Sequence, residues 1–337
     1  MRNCPNVFLI LIFLVFPAVT CFADDYDFIN EWGSYGSKAG QFFFPQDVTT
    51  YGGSVFVTDW FNERVQKFNS NGVFTSQWKT IGTGNGHLQT PTGITSDSNG
   101  NIYVLNAGGS TLEKYNSNGG FLGAWGGEGS GDGDLKFPSG IGMSSNGHVY
   151  VADTINHRVQ EFETDGTFVR KWGNFGSETG EFNTPYALAV DSFGNVYVAE
   201  LHNQRIQKFS SDGTFISRWG SEGSGDGQFE QPSGITIDSK NNVYVSDTEN
   251  HRIQKFTSDG TFISTFGESG SDPGQFFFPL GIHVDSQDHL FVADAFNYRI
   301  QEFSILSPTI APEPASMVLF GLGAGMLGLS RKFRKKK

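Results

Sequence analysis

Asp59, Asp153, Glu200, Asp247 and Asp294 fall in one register of a 47-residue period, with Asn106 in the second slot. Each acid precedes an arginine by five residues: Arg64, Arg158, Arg205, Arg252 and Arg299. A ring of carboxylates could supply general acids or metal ligands, or each acid could pair with its own arginine across a hairpin. Asn106 and Thr111 lose both charges together, as partners do, so the spacing predicts structural ion pairs and no catalytic residue. Four residues beyond each period-opening proline the copies carry Thr49, Thr95, Gly142, Ala189, Thr236 and His283. One histidine, with Asp47 near it, predicts neither a metal site nor a cofactor. His157 and His251 correspond to each other, but Glu63, Ser110, Gln204 and Tyr298 fill the other slots, so surface hydrogen bonding is expected. The runs 131–134 and 225–227, Gly-Asp-Gly-Asp and Gly-Asp-Gly, are too weakly specified for calcium and read as turns.

Aromatic residues give the stronger signal. Trp60 and Phe61 in the first copy, and Phe296 and Tyr298 in the sixth, stand where other copies have Thr, Ala, Leu or Glu. The segments entering the same two copies end in Phe42-Phe43-Phe44 and Phe276-Phe277-Phe278. Phe42 and Phe276 align with Leu88, Leu135, Phe182 and Phe229 and are expected in the core. Phe43, Phe44, Trp60, Phe61, Phe277, Phe278, Phe296 and Tyr298 form the candidate ligand-binding set, as a protein anchor or a platform for sugar rings. The competing reading is that they only cover a seam.

These residues are positioned by six copies of one unit, opened by Pro45, Pro91, Pro138, Pro185, Pro232 and Pro279. The first interval is one residue short. Stretches such as Pro232–Ile237 and Val243–Asp247 alternate apolar and polar residues as strands do. Asn71-Gly72, Asn118-Gly119, Asp165-Gly166, Asp212-Gly213 and Asp259-Gly260 mark tight hairpins. One outer aromatic recurs per copy, at Trp32, Trp78, Trp125, Trp172, Trp219 and Phe266, and is expected to pack between strands and blades. A period in the forties made of short strands predicts an all-β, six-bladed propeller over residues 24–304. The chain opens with a strand at Tyr26–Gly33 that matches the outermost strand of a blade, and the last copy stops after its third. The N-terminal strand therefore completes the last blade, closing the ring and making the first and sixth blades neighbours. The second copy reads Ala107-Gly108-Gly109-Ser110 at its central hairpin, where a different construction is expected.

Asn156-His157-Arg158-Val159-Gln160, Asn250-His251-Arg252-Ile253-Gln254 and Asn297-Tyr298-Arg299-Ile300-Gln301 resemble NHL repeats, as does the preceding Val-Ala-Asp. The resemblance covers about residues 26–305. It implies a propeller, but members bind proteins, bind RNA or act as enzymes, so it leaves function open. Lyases of that family draw channel metal ligands from several blades, and no such set is visible here.

The ends read as addresses. Residues 1–23 form a secretory signal: Arg2, an apolar core over Val7–Phe16, and Ala23 before the cut. Cys4 and Cys21 fall within it, so the mature chain has no cysteine and no disulfide. After a linker at 305–311, residues 312–337 resemble the PEP-CTERM sorting signal: Pro312-Glu313-Pro314, an apolar stretch over Ala315–Leu329, and a basic tail from Arg331. Fifteen apolar residues span about 22 Å as a helix, short of a hydrocarbon core of roughly 30 Å. The resemblance implies transient inner-membrane anchoring through this helix, then cutting near Pro312-Glu313-Pro314 by an exosortase-type enzyme, with signal peptidase acting at the other end. Permanent anchoring is the alternative.

Between these ends the chain carries 16 basic against 34 acidic residues. Such a body repels phosphate backbones, so nucleic acid is excluded as a partner. The expected function is that of an exported, noncatalytic module at the cell surface or in the extracellular matrix, engaging an unknown surface protein or extracellular polysaccharide. The alternatives are a structural matrix component without a discrete ligand and a channel-metal lyase or lactone hydrolase.

Overall fold

A computed structural model describes residues 26–78 and 86–305. The signal segment, the linker and the sorting segment, with Pro312, Glu313 and Pro314, lie outside the described residues. Six antiparallel four-stranded sheets make up the fold, and the described residues add only two single-turn 3-10 segments, Thr154–Asn156 and Ala295–Asn297. Blade 1 runs Pro45–Tyr51, Ser54–Asp59, Arg64–Asn69 and Phe74–Trp78 from the channel outward. Blade 6 takes Pro279–Val284, His289–Asp294 and Arg299–Ile305 from one end of the chain and Tyr26–Trp32 from the other, Tyr26 pairing with Ile305. The ring closes as the repeat predicts.

Position within a blade sets composition. Second strands lie between neighbouring sheets, so Val149–Asp153 and Val196–Glu200 are buried on both faces and read as unbroken apolar runs ending in an acid. Outermost strands face water on one side, and Phe215–Trp219 alternates accordingly. Hydrophobic clusters form between blades, one joining Phe42, Val48, Val57 and Phe68 of blade 1 to Phe291, Ala293 and Ile300 of blade 6.

The turn glycines have a second duty beyond their positive φ. A side chain at Gly72, Gly119, Gly166, Gly213 or Gly260 would run into Trp32, Trp78, Trp125, Trp172 or Trp219 of the preceding blade. Each hairpin thus lies flat against the neighbouring indole. Blade 6 has chain ends in place of that hairpin. There Tyr26 stacks on Phe266, ring centroids 4.0 Å apart, which accounts for phenylalanine at the one slot without tryptophan.

The second copy corrects an expectation. Its central hairpin keeps the pairing of the others, Asn106 opposite Thr111, with Ser110 at φ 52° where Glu63 and His157 also take positive φ. The difference lies in the side chains. Elsewhere the acid accepts from a glutamine two residues beyond the arginine, as Asp153 does from Gln160 Nε2 at 3.1 Å. In blade 2 the roles are exchanged, Asn106 Nδ2 donating to Glu113 at 2.8 Å.

Candidate functional site

Links between blades and second-to-third-strand hairpins emerge on one face, and a buried hub in each blade fixes them to each other. Arg64 Nε lies 2.8 Å from Asp59 Oδ2, Arg158 Nε 2.7 Å from Asp153 and Arg205 Nε 2.5 Å from Glu200. The corresponding distances are 2.7 Å for Arg252–Asp247 and 2.8 Å for Arg299–Asp294. Burial outweighs the arginine and amide donors and pushes the Asp59, Asp247 and Asp294 carboxyls up. Each acid's other interactions explain why it is kept: Asp59 Oδ1 accepts from Phe43 N at 2.8 Å, and Asp294 Oδ1 from Phe277 N at 2.7 Å. The arginine head meanwhile donates to carbonyls of the same link, Arg64 to Ser37, Lys38 and Gln41. The periodic ion pair is therefore the device that holds the aromatic residues in place.

Held in this way, the aromatic residues form one continuous path of rings across the closure seam. Tyr298 lies 4.9 Å from Tyr35, Tyr35 5.4 Å from Phe43, Phe43 4.7 Å from Phe61 and Phe61 4.5 Å from Trp60. From Trp60 the path runs to Phe44 at 5.4 Å, then to Phe296 at 5.1 Å and Phe278 at 4.9 Å. Phe277 flanks Phe278 at 5.1 Å, and His251 of blade 5 stands 4.8 Å from Phe278. Exposure divides the set. Tyr35 is 60% exposed, Phe61 51%, Phe296 42%, Phe277 39% and Phe43 37%. Phe44, Trp60, Phe278 and Tyr298 are half-buried and form the floor. Trp60 Nε1 is buried without a hydrogen bond, so this indole supports the platform more than it offers a polar edge. Phe42 and Phe276 are fully buried. Tyr35 and His251 were absent from the sequence-derived set. Tyr35 holds the link position that carries Glu128, Phe175, Glu222 and Ser269 in other blades, so an aromatic there was not particular to the seam.

Around the seam the face is acidic, with Glu128, Asp132, Glu178, Glu222, Asp226 and Glu268 exposed. Asp132 pairs with Lys171 at 2.6 Å, and Asp134 accepts from Gly131 N at 3.1 Å, so this Gly-Asp loop is closed on itself. His157 and His251 accept the amides of Thr184 and Phe278, each at 3.2 Å, tying one blade's hairpin to the next blade's link.

The channel is narrow, with a cavity of about 200 Å³, and Gln46 of blade 1 reaches across it to the Tyr186 hydroxyl of blade 4 at 2.8 Å. Asp47 accepts from Val48 N at 2.9 Å and Ile94 N at 3.0 Å, and burial pushes it up to about 7 against these bonds. His283 Nε2 lies 2.9 Å from Thr50 Oγ1. Among the described residues no group of three or more His, Cys, Asp or Glu could hold a metal ion. Burial lowers His283 from 6.5 to about 4, with Asp285 opposing the shift. The unfolded chain takes up a proton that the folded one refuses, so this contribution to stability is complete above pH 6.5 and is lost as pH falls toward about 4. Melting temperature followed over that interval should fall less steeply for His283→Gln than for the parent.

Fold and site together define a six-bladed β-propeller built from NHL-type repeats. The NHL repeat model matches residues 135–162 and 229–256, the third and fifth copies, which carry Asn-His-Arg. The chain also carries the PEP-CTERM protein-sorting motif, matched over residues 311–335, which marks it for export and sorting to the cell envelope or surface through exosortase processing. No curated protein matches it in sequence. Among solved structures it is similar to a protein of unknown function from Bacteroides thetaiotaomicron, with 18% identity, 83% of this chain and 75% of that chain covered, and a TM-score of 0.64. A streptogramin B lyase shares the fold at 15% identity, 83% and 97% coverage and a TM-score of 0.59. So does an auxiliary nutrient binding protein from Bacteroides thetaiotaomicron, at 16% identity, 83% and 72% coverage and a TM-score of 0.59. No helix among the described residues is long and apolar enough to cross a membrane, and the apolar 315–329 stretch lies outside them.

Proposed function

We propose that this protein is an exported, noncatalytic binding module of the cell surface or extracellular matrix, engaging a polysaccharide or surface protein through the aromatic seam of blades 1 and 6. The continuous ring path, with Tyr35, Phe43, Phe61, Phe277 and Phe296 open to solvent, carries this reading. Flat apolar faces bordered by carboxylates suit sugar rings, which stack their C–H faces on aromatics and offer hydroxyls to acceptors at the rim. Residues at the channel mouth support the noncatalytic part: both Asp47 oxygens and His283 Nε2 are engaged by their own neighbours.

Calorimetric titration with the producing organism's extracellular polysaccharide tests it. Saturable heat is expected from the parent, with Phe61→Ala/Phe296→Ala weakened by about 30-fold or more while melting at nearly the parent temperature, since hot-spot aromatics contribute about 2 kcal/mol or more. Absence of heat in the parent removes the glycan and directs the seam to a protein partner.

A further inference from the structure

Six copies of one unit allow each departure to be measured against its siblings. In the third strand, Lys67, Lys114, Lys208 and Lys255 occupy one position. Their ammonium groups lie 5.4, 5.1, 4.8 and 5.2 Å from the rings of Phe56, Tyr103, Tyr197 and Tyr244. Lys67, Lys114 and Lys208 also donate to a carbonyl of the next blade's hairpin, that of Ser117, Thr164 or Ser258, at 3.0 to 3.1 Å. The other two blades carry glutamate there. Glu161 of blade 3 has two cationic side chains beside it, His148 Nδ1 at 2.6 Å and Arg170 Nε at 2.8 Å, and accepts from the Tyr150 hydroxyl at 3.3 Å.

Glu302 of blade 6 is equally buried, 5% exposed, and keeps only the histidine, His289 Nδ1 at 3.1 Å. Phe291 replaces the tyrosine, and Asn30 replaces the arginine opposite it in the sheet. Asn30 turns away, donating to Asn71 O at 3.1 Å. Burial pushes the Glu302 carboxyl up. A cation's place beside this carboxylate is thus left without a side chain to fill it.

That place opens on a cleft of about 1020 Å³ between blades 6 and 1, on the face opposite the aromatic seam. The first hairpin of blade 1, one residue shorter than its siblings, borders it. Blade 1 turns through Gly52-Gly53, and the clasps that join two other pairs of first hairpins, Ser192 to Asn241 at 3.0 Å and Ser239 to Asp288 at 2.7 Å, have no counterpart here. Gly53 holds the register that would clasp Ser286, as Gly147 and Gly194 hold it toward Ser98 and Ser145, with no side chain to do so. Tyr51 leans the other way, over Gly100 of blade 2. Glu302, Asp285, His289, Phe291 and Ser70 border the cleft, and neither lysine nor arginine does.

We propose that this cleft binds a small organic cation, whose ammonium or guanidinium head takes the place that lysine or arginine fills in the other blades. Glu302 supplies the counter-charge, the ring of Phe291 the aromatic face, and Ser70 the carbonyl equivalent to those of Ser117 and Thr164. Anions are refused by Glu302 and Asp285 together.

Calorimetric titration of the full chain with agmatine tests the assignment. One saturable site is expected, weakened by about tenfold or more in Glu302→Gln. Glu302→Lys installs the residue of four sibling blades, so it should fold, fill the place from within and abolish binding. A parent that gives no saturable heat overturns the proposal, as does a folded Glu302→Lys that binds agmatine as the parent does. Neither result bears on the aromatic seam, since Phe61→Ala/Phe296→Ala should bind agmatine unchanged.

Discussion

Asp153→Ala is expected to cost the propeller about 3–5 kcal/mol, read as a lowered denaturant midpoint at unchanged slope. Asp153 is fully buried and accepts from Lys136 N at 2.7 Å, Asn156 Nδ2 at 2.9 Å, Arg158 Nε at 2.7 Å and Gln160 Nε2 at 3.1 Å. Removing it leaves a guanidinium without counter-charge, still held by the carbonyls of Ser130, Gly131 and Asp134 at 2.8 Å each. Three neutral donors lose their acceptor at the same time. The cost measures the stranded groups more than the worth of the pair, because burying both charges was itself expensive. Blade 2 supplies the control. Writing its arrangement into blade 3, as Asp153→Asn/Arg158→Thr/Gln160→Glu/Phe162→Tyr, copies Asn106, Thr111, Glu113 and Tyr115, and should recover most of the loss. If it melts no higher than Asp153→Ala, the two arrangements are not exchangeable and the hub depends on its blade.

A chain beginning at Gly33 should lose its single cooperative transition. Without Tyr26–Trp32, blade 6 keeps three strands and exposes the edge of Arg299–Ile305. It also loses the Tyr26–Phe266 stack, the Glu31–Arg299 pair at 2.7 Å and the Trp32 indole that covers Gly72. These losses touch both neighbouring inter-blade contacts, and together they approach the 5–15 kcal/mol of a whole domain's stability. Circular dichroism should show a broad, early melt and light scattering should show association through the open edge. The missing strand, added as a separate peptide, should restore a sharp melt. A truncated chain that melts like the parent would mean that five and three-quarter blades suffice.

Much of this was legible before the fold was seen, because a repeat turns each slot into an alignment within one chain. The period counted the blades, the unmatched first strand closed them, and the five-residue step from acid to arginine put both in register across a hairpin. The aromatic positions followed from asking which slots differ in blades 1 and 6. Tyr35 escaped because its link is irregular backbone with no alternation to aim its side chain, and His251 because it belongs to a third blade. The exchange of Asn106 with Glu113 was hidden in a strand that looked ordinary, since the glutamate replaces a glutamine of nearly the same shape. The missing cation at Glu302 needed the structure: its partner position, Asn30, lies more than two hundred residues away in sequence and becomes a neighbour only on closure.

The pairing of Tyr26 with Ile305 has a mechanical consequence. Both ends of the propeller leave from one point, on the face opposite the aromatic seam. A protein held by a tail beyond Ile305 and pulled by a polymer gripped at Phe61 and Phe296 therefore carries the load along Arg299–Ile305. That strand is hydrogen-bonded on both edges, to His289–Asp294 and to Tyr26–Trp32, so the pull acts across two ladders in shear and must break many bonds at once, where a peeling load would break them in turn. The blade made from both ends of the chain is then also the one that bears tension.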